Sequence, residues 1–181
     1  MPNIRVTIMI LLIFTSCSCV HTSFSVNPVT QTLQDFYNGI FSQLGLGPVT
    51  DVMSCYNTTT AATQYQFFYF WAIDISKAGE ANAEIATWQY FNSTGGQLYL
   101  ELPLSTLNCR KSSQDYARFC EALGIDPVET EFLDEFQIYI STQTESYYTQ
   151  FHNMSNFFDT LSPQSAGNVF GSFLQSVTQE N

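Results

Sequence analysis

Apolar residues recur every three or four positions through much of this chain. In the first such stretch the repeating positions are Val29, Leu33, Phe36, Ile40 and Leu44. This spacing places them on one face of an amphipathic helix. Asn27-Pro28 in front provides a helix cap and a favoured first residue, and Gly45 to Pro48 ends the repeat. The pattern therefore predicts a first helix with a buried apolar face.

The longest repeat lies in the second half of the chain. It follows Asp126-Pro127-Val128-Glu129, where Asp can cap a helix, Pro takes its first position and Glu can reach back to the cap. The repeating positions, about eight helical turns, are Val128, Phe132, Phe136, Tyr139, Gln143, Tyr147, Phe151, Met154 and Phe158. The sequence predicts one long helix from Asp126 to Phe158.

Three shorter elements precede the long repeat. Residues 49–56 predict a short helix, and the aromatic-rich residues 61–78 predict a buried helix because strands rarely reach that length. Residues 80–91 continue as helix, with Ile85 and Trp88 on one side, before a turn from Asn92 to Gly96.

The alternating Leu98, Leu100, Leu102 and Leu104 fit a strand period, but Pro103 interrupts it and no partner strand is evident, so helix or irregular structure is favoured. Residues 113–123 predict a helix ended by Gly124.

The last helix starts at Ser162-Pro163 and turns Val169, Phe170, Phe173 and Val177 inward. Gly167 and Gly171, four residues apart, leave room for a neighbouring backbone. Together these elements predict an all-α fold, a compact bundle of about five helices.

The N-terminus has the layout of a secretory signal peptide. Arg5 is followed by an apolar run from Val6 to Phe14 and by small residues up to Cys19. The run is shorter than the ~20 residues that a membrane-spanning helix needs. We expect a signal peptide over residues 1–19, a single helical secreted domain over 20–181, and no membrane span in the mature chain. A bacterial lipoprotein signal with a lipidated Cys17 is the alternative, although Phe14 fits it poorly.

Three sequons follow the predicted signal peptide, at Asn57, Asn92 and Asn153. In a secreted chain such asparagines accept N-linked glycans. Asn57 and Asn92 lie in turn-like contexts, whereas Asn153 falls inside the predicted long helix, where its use depends on the face it takes. We expect at least one of the three to be glycosylated.

Beyond the predicted signal the chain has three cysteines, Cys55, Cys109 and Cys120. A helix between Cys109 and Cys120 would separate their Cα atoms by ~16 Å, and a disulfide needs about 4.4–6.8 Å. We therefore do not expect those two to pair. The bridges left open are Cys55 to Cys109, which is preferred, and Cys55 to Cys120. The remaining thiol can be buried and inert, paired with Cys19, or linked to another chain.

Composition excludes one class of partner. The chain has five Lys and Arg against sixteen Asp and Glu, and only 12% of its residues are charged. Nucleic-acid binding requires clustered cations, and Arg110-Lys111 is the only adjacent pair. We therefore expect no nucleic-acid partner.

The sequence contains no recognisable catalytic, cofactor or metal motif. His152 is the one histidine that could act as a hydrolase base, and a helix-surface role explains it as well. The acids Glu129, Glu131, Asp134 and Glu135 suit the N-terminus of the long helix better than a glycosidase pair. The aromatic run from Tyr65 to Trp71 is core or, less often, an apolar ligand pocket.

The order of several features resembles the small secreted, mostly helical proteins that are abundant in ciliates. These features are Phe36 with Gly39, Asp51-x-x-x-Cys55, Leu107-x-Cys109, a long helix, and a terminal helix with Gly167 and Gly171. The resemblance covers most of the mature chain and implies an all-helical fold stapled by a Cys55–Cys109 disulfide. It implies no activity, catalytic residue or cofactor. Cys120 and residues 98–104 depart from the pattern.

These observations lead to one functional expectation and two alternatives. We expect a secreted, N-glycosylated, non-enzymatic helical protein that acts on a protein partner or as a structural component. A carrier of a small apolar ligand or lipid is the first alternative, suggested by the ring-rich interior. A secreted hydrolase that uses His152 or the acidic cluster is the second.

Overall fold

The computed structural model describes residues 26–94, 113–125 and 131–179. Within these ranges the chain is all helical and contains no strand, which confirms the predicted fold class. The α-helices of this part are α1 Val26–Gln43, α2 Thr58–Ala78, α3 Ala83–Thr94, α4 Gln114–Leu123, α5 Glu131–Thr142, α6 Thr144–Asp159 and α7 Pro163–Gln179. The described residues thus form seven α-helices, where the sequence predicted about five for the whole chain.

Helices α1 and α7 form the most extensive contact between any two described helices. Glycines permit this contact. A Cβ atom added to Gly167 would lie against the carbonyl group of Phe36 and 3.1 Å from the Cα of Gly39, and one added to Gly39 would lie 2.8 Å from the backbone nitrogen of Asn168. The two backbones therefore meet where neither helix has a side chain, as the spacing of Gly167 and Gly171 predicted.

Trp71 is the centre of an aromatic core. Its ring centroid lies 4.6 Å from that of Phe151, 5.0 Å from that of Phe91 and 5.9 Å from that of Phe170. Ring pairs at such distances add about 0.5–1.5 kcal/mol each beyond the burial of their area. These contacts join α2 to α3, α6 and α7, so one core holds together elements from both halves of the chain.

The prediction of one continuous helix from Asp126 to Phe158 is wrong at Gln143. The chain forms two helices there, because α5 ends at Thr142 and α6 begins at Thr144. Gln143 between them has φ −115° and ψ 40°, which is not helical. The side chains of Tyr139 and Tyr147 are both buried on either side of the break. The repeat of three and four residues continues across the junction, but its member at the break is Gln143, which is polar and exposed.

The segment after α2 also differs from its prediction. Gly79 adopts a positive φ of 77° and interrupts the helix, and a 3-10 helix at Glu80–Asn82 leads into α3. Ile85 and Trp88, which the sequence placed on one side of the helix, differ in burial: Ile85 is 56% exposed and Trp88 is partly buried. Asn92, predicted to start a turn, lies in the last turn of α3.

The remaining short elements follow their predictions closely. The short helix predicted at 49–56 is a 3-10 helix at Val52–Cys55. Helix α4 is capped by Ser113 and ended by Gly124 in the left-handed conformation. The signal peptide over 1–19, the segment 98–104, Cys109, and the cap at Asp126 lie outside the described residues, and their predictions stand as such.

Candidate functional site

The most densely hydrogen-bonded polar site joins two helix starts that are distant in sequence. The Asp115 carboxylate on α4 accepts hydrogen bonds from the backbone N–H groups of Thr50 (2.6 Å), Asp51 (2.7 Å) and Val52 (3.0 Å). These groups lie at the beginning of the 3-10 helix Val52–Cys55, where backbone donors have no partner within the helix. Asp115 therefore caps a helix that starts more than sixty residues earlier.

Asp51 returns the same interaction in the opposite direction. Its carboxylate accepts hydrogen bonds from the Ser113 hydroxyl (2.7 Å) and from the backbone N–H groups of Gln114 (2.7 Å) and Asp115 (3.2 Å) at the start of α4. Each aspartate thus caps the helix that carries or adjoins the other. We call this pair, Asp51 and Asp115 with the two helix starts, the aspartate clasp.

Arg118 completes the clasp. Its guanidinium donates a hydrogen bond to the Asp115 carboxylate and stacks over the Phe41 ring, 5.5 Å from the centroid. Burial raises the pKa of the Asp115 carboxyl, but hydrogen bonds from Val52, Arg118, Asp51 and Thr50 outweigh burial and hold the pKa well below its ordinary value. The side chain is fully buried, so Asp115 is a buried carboxylate that stays charged because donors surround it. The hydrogen bonds of Asp115 and Asp51 hold the two helix starts together.

A second polar site lies in a surface groove between α2 and α6. The Ser76 hydroxyl and the His152 Nδ1 atom are 2.8 Å apart, and the His152 ring stacks on Tyr148 at a centroid distance of 5.7 Å. The groove beside them has a volume of about 370 Å³ and is lined by Tyr69, Ile73, Ser76, Lys77, Ser155, Asn156 and Asp159. The sequence indicated His152 as the only histidine that could act as a base, but nothing in it pointed to Ser76, which lies 76 positions away.

The Ser76–His152 pair has only part of a hydrolase site. A serine nucleophile requires a histidine base whose second ring nitrogen is oriented by a third group, together with donors for the oxyanion. In the part of the chain that the structure describes, no carboxylate hydrogen-bonds to His152. The pair is also open to water, since His152 is exposed. The geometry fits a surface hydrogen bond that joins two helices.

The predicted modification sites lie at the surface. Asn57 is exposed and caps α2, while Asn92 on α3 and Asn153 on α6 are also exposed. Cys55 is partly buried at the end of the 3-10 helix, and Cys120 is a buried thiol on α4. Cys109 lies outside the described residues, so its predicted pairing with Cys55 is treated as a proposal below.

The aromatic run from Tyr65 to Trp71, predicted as core or pocket, contributes three of its side chains to the core. Phe67, Phe68 and Trp71 are at most 6% exposed and contact other rings, whereas Phe70 is 49% exposed. In the acidic cluster, Asp134 is exposed and Glu135 is partly buried.

Residues 26–94, 113–125 and 131–179 contain no group of three or more His, Cys, Asp or Glu side chains placed to bind a metal ion. None of the described helices is long and apolar enough to cross a membrane.

Comparison with known proteins gives no relative. No family model, no curated protein and no solved structure matches this chain. The function must therefore be argued from the sequence and the geometry above.

Proposed function

We propose that this chain is a secreted, N-glycosylated helical protein that acts by binding a positively charged protein partner and catalyses no reaction. The observation that carries this proposal is the charge of the surface. Lys77 is the one exposed lysine or arginine in the described ranges, because Arg118 is partly buried against Asp115. The exposed acids in the same ranges are Asp74, Glu80, Glu121, Asp134, Glu145 and Asp159.

A surface with this imbalance favours one kind of partner. Exposed acids on several helices create a negative potential that speeds encounter with cationic surfaces and repels acidic ones. Single large apolar side chains among them, such as Ile138 at 59% exposure and Leu161 at 87%, can supply contact area once a partner is bound. The negative surface charge therefore favours cationic partners, and the scattered apolar side chains add to the affinity of the bound complex.

Secretion is the first part of the proposal to test. The tagged full chain, expressed in eukaryotic secreting cells, should appear in the medium without residues 1–19 and should lose mass on enzymatic removal of N-glycans. A chain that stays in the cytosol with its N-terminus intact contradicts the proposal.

Partner binding is tested separately. Cross-linking on the cells that secrete the chain should recover partners with net positive charge, and the recovery should fall at high salt. Recovery of acidic partners, unchanged by salt, contradicts the binding proposal.

A Cys55–Cys109 disulfide is part of the same proposal, and it would close a long loop worth about 4 kcal/mol in the chain-entropy model. Its support is that Cys55 is only partly buried at the end of the 3-10 helix, whereas Cys120 is a buried thiol on α4. Peptide mapping without reduction should find Cys55 linked to Cys109 and Cys120 alkylated only after unfolding. A Cys55–Cys120 link contradicts the assignment.

The hydrolase alternative is testable at one hydrogen bond. Any hydrolytic activity found in the secreted protein should survive both Ser76→Ala and His152→Ala if the protein is not a serine hydrolase. Loss of a defined activity in both variants, with the fold intact by circular dichroism, would replace the binding proposal with catalysis at the α2–α6 groove.

A further inference from the structure

Asn57 does two structural jobs at the start of α2. Its side-chain oxygen Oδ1 accepts a hydrogen bond from the Thr60 backbone N–H (2.9 Å), and its own backbone N–H donates to the Thr60 hydroxyl (3.0 Å). These two bonds form a capping box that satisfies helix-start donors. Asn57 is also the first residue of a sequon completed by Thr59.

The capping box fixes which side of the Asn57 amide faces the solvent. Only the oxygen of an amide can accept a hydrogen bond from a backbone N–H, so Oδ1 must be the atom turned toward the helix. The described hydrogen bonds of this side chain all use Oδ1. The amide nitrogen Nδ2 lies on the other side of the planar amide group, and Asn57 as a whole is exposed. Nδ2 is the atom that an N-linked glycan requires.

We propose that Asn57 carries an N-linked glycan on Nδ2 while its Oδ1 continues to cap α2. This inference rests on the proposed secretion, which would bring the chain to the glycan donor. The donor class is a lipid-diphosphate-linked oligosaccharide. Nδ2 attacks the anomeric carbon of the first sugar, the bond from that carbon to the diphosphate oxygen breaks, and one of the two Nδ2 protons passes to a basic group of the transferring enzyme. The lipid diphosphate leaves with the bonding pair, and Oδ1 is unchanged.

The structure favours Asn57 over the sequon at Asn153. Thr59, the hydroxyl residue of the first sequon, is exposed together with Asn57. At Asn153 the hydroxyl residue is Ser155, which is 4% exposed and donates its hydroxyl hydrogen to the His152 carbonyl (2.8 Å). The Asn57 sequon therefore presents both of its functional side chains in the folded protein, whereas the Asn153 sequon presents one. Asn92 lies within helix α3 rather than at a helix start.

The test uses the full chain secreted from eukaryotic cells, with one matched pair of variants. Thr59→Ala destroys the sequon and leaves the capping atoms in place. Thr60→Ala makes the same chemical change one residue later, keeps Asn57-Thr58-Thr59 intact and removes half of the capping box. Enzymatic removal of N-glycans converts each glycosylated asparagine to aspartate, which peptide mass spectrometry locates.

We expect the wild-type chain and Thr60→Ala to carry a glycan at Asn57, and Thr59→Ala to lose one glycan while still being secreted. An unmodified Asn57 peptide in a secreted chain that is glycosylated at Asn92 or Asn153 overturns this inference and leaves the proposed function standing. A chain that is absent from the medium and unmodified at all three sequons overturns both.

The capping role has its own readout. With the glycan absent from both proteins, Asn57→Ala should lower the folding equilibrium constant about fivefold relative to Thr59→Ala, because only the former removes the cap. Enzymatic deglycosylation of the wild-type chain leaves aspartate, an equally good cap, and should change that constant less than twofold. Equal stabilities for Asn57→Ala and Thr59→Ala would refute the double role.

Discussion

Among the charged residues that the structure describes, Asp115 is the one whose replacement by alanine should destabilise the fold most. The carboxylate accepts three backbone N–H bonds through Oδ2 and is bonded to the Thr50 hydroxyl and to Arg118 through Oδ1. Its side chain is fully buried. Alanine would leave the backbone donors at the start of the 3-10 helix without their protein acceptor.

The expected loss can be bounded from these contacts. A hydrogen bond to a charged group contributes about 1.5–3 kcal/mol, and such bonds within one network are not additive. Removing one partner of a buried ion pair costs about 3–5 kcal/mol, but the Arg118 side chain is 36% exposed and can regain water. We therefore expect Asp115→Ala to lower the free energy of unfolding by about 3 kcal/mol, a large share of the usual 5–15 kcal/mol.

Urea unfolding at neutral pH, followed by circular dichroism, measures this loss. Glu121→Ala is the matched control, because Glu121 is an exposed acid on the same helix and should change the free energy of unfolding by less than about 0.5 kcal/mol. Asp115→Asn should fall between them, at about 1–2 kcal/mol, since one oxygen can keep the backbone bonds while the Arg118 contact is lost. A loss below about 1 kcal/mol for Asp115→Ala would refute the argument that the clasp stabilises the fold.

The same site predicts a pH dependence. The pKa of the Asp115 carboxyl is held well below its ordinary value in the folded state. The stability that it contributes is therefore fully present above the ordinary aspartate pKa, ~3.9, and is lost as the pH falls toward the lower folded-state pKa. The difference in unfolding free energy between the wild-type chain and Asp115→Asn should be constant above about pH 5 and should shrink below about pH 4. A difference that does not vary with pH would contradict this assignment.

Three further predictions concern packing and buried tyrosines. Gly167→Ala should lower the free energy of unfolding by about 3 kcal/mol in the same urea assay, because its Cβ would meet the α1 backbone. Gly47→Ala is the control: the atom nearest to its added Cβ, on the Arg118 side chain, is 3.9 Å away, so the free energy of unfolding should change by less than about 0.5 kcal/mol. Burial and the neighbouring Tyr69 raise the pKa of Tyr65 to about 12. The stability that Tyr65 contributes is therefore present below about pH 10 and is lost as the pH rises toward 12. Tyr65→Phe should remove one late step from the alkaline ultraviolet titration of the tyrosines. Tyr147→Phe should cost about 1 kcal/mol in thermal unfolding, since it removes the buried 2.6 Å hydrogen bond to Thr87, and no measurable loss would contradict it.

The sequence predicted the features of this fold that depend on local pattern. The apolar face of α1, the extent and stop of α4, and the glycine contact of α7 follow from local sequence, so they could be predicted without knowing the rest of the fold. The break at Gln143 was not predicted, because Tyr139 and Tyr147 stay in register across it and a single polar residue such as Gln143 does not by itself end a helix. Backbone geometry at that point depends on how α5 and α6 pack against α7, which the spacing of residues on one segment does not contain.

The polar sites could not be predicted from the sequence, because each is formed by residues that only the tertiary fold brings together. Asp51 and Asp115 are each an ordinary acid near a helix start, and only the tertiary fold shows that each caps the other's helix. Ser76 is one serine among many until α2 and α6 bring it to His152. The sequon at Asn57 was visible, but its role as a cap required the helix boundary to be known.

The contact between α1 and α7 has a consequence for how the protein is made. Synthesis proceeds from the N-terminus, so α1 emerges early and its best-fitting partner is the last described helix to be produced. Until then the buried face of α1 can pack only against earlier elements, such as Phe68 on α2, whose ring centroid lies 4.9 Å from that of Phe36. Native pairing of such distant segments is slow compared with local helix formation. A ribosome that stops before Pro163 therefore releases a chain in which α1 lacks its most extensive helix contact, and part of its apolar face stays exposed until the last described helix is made.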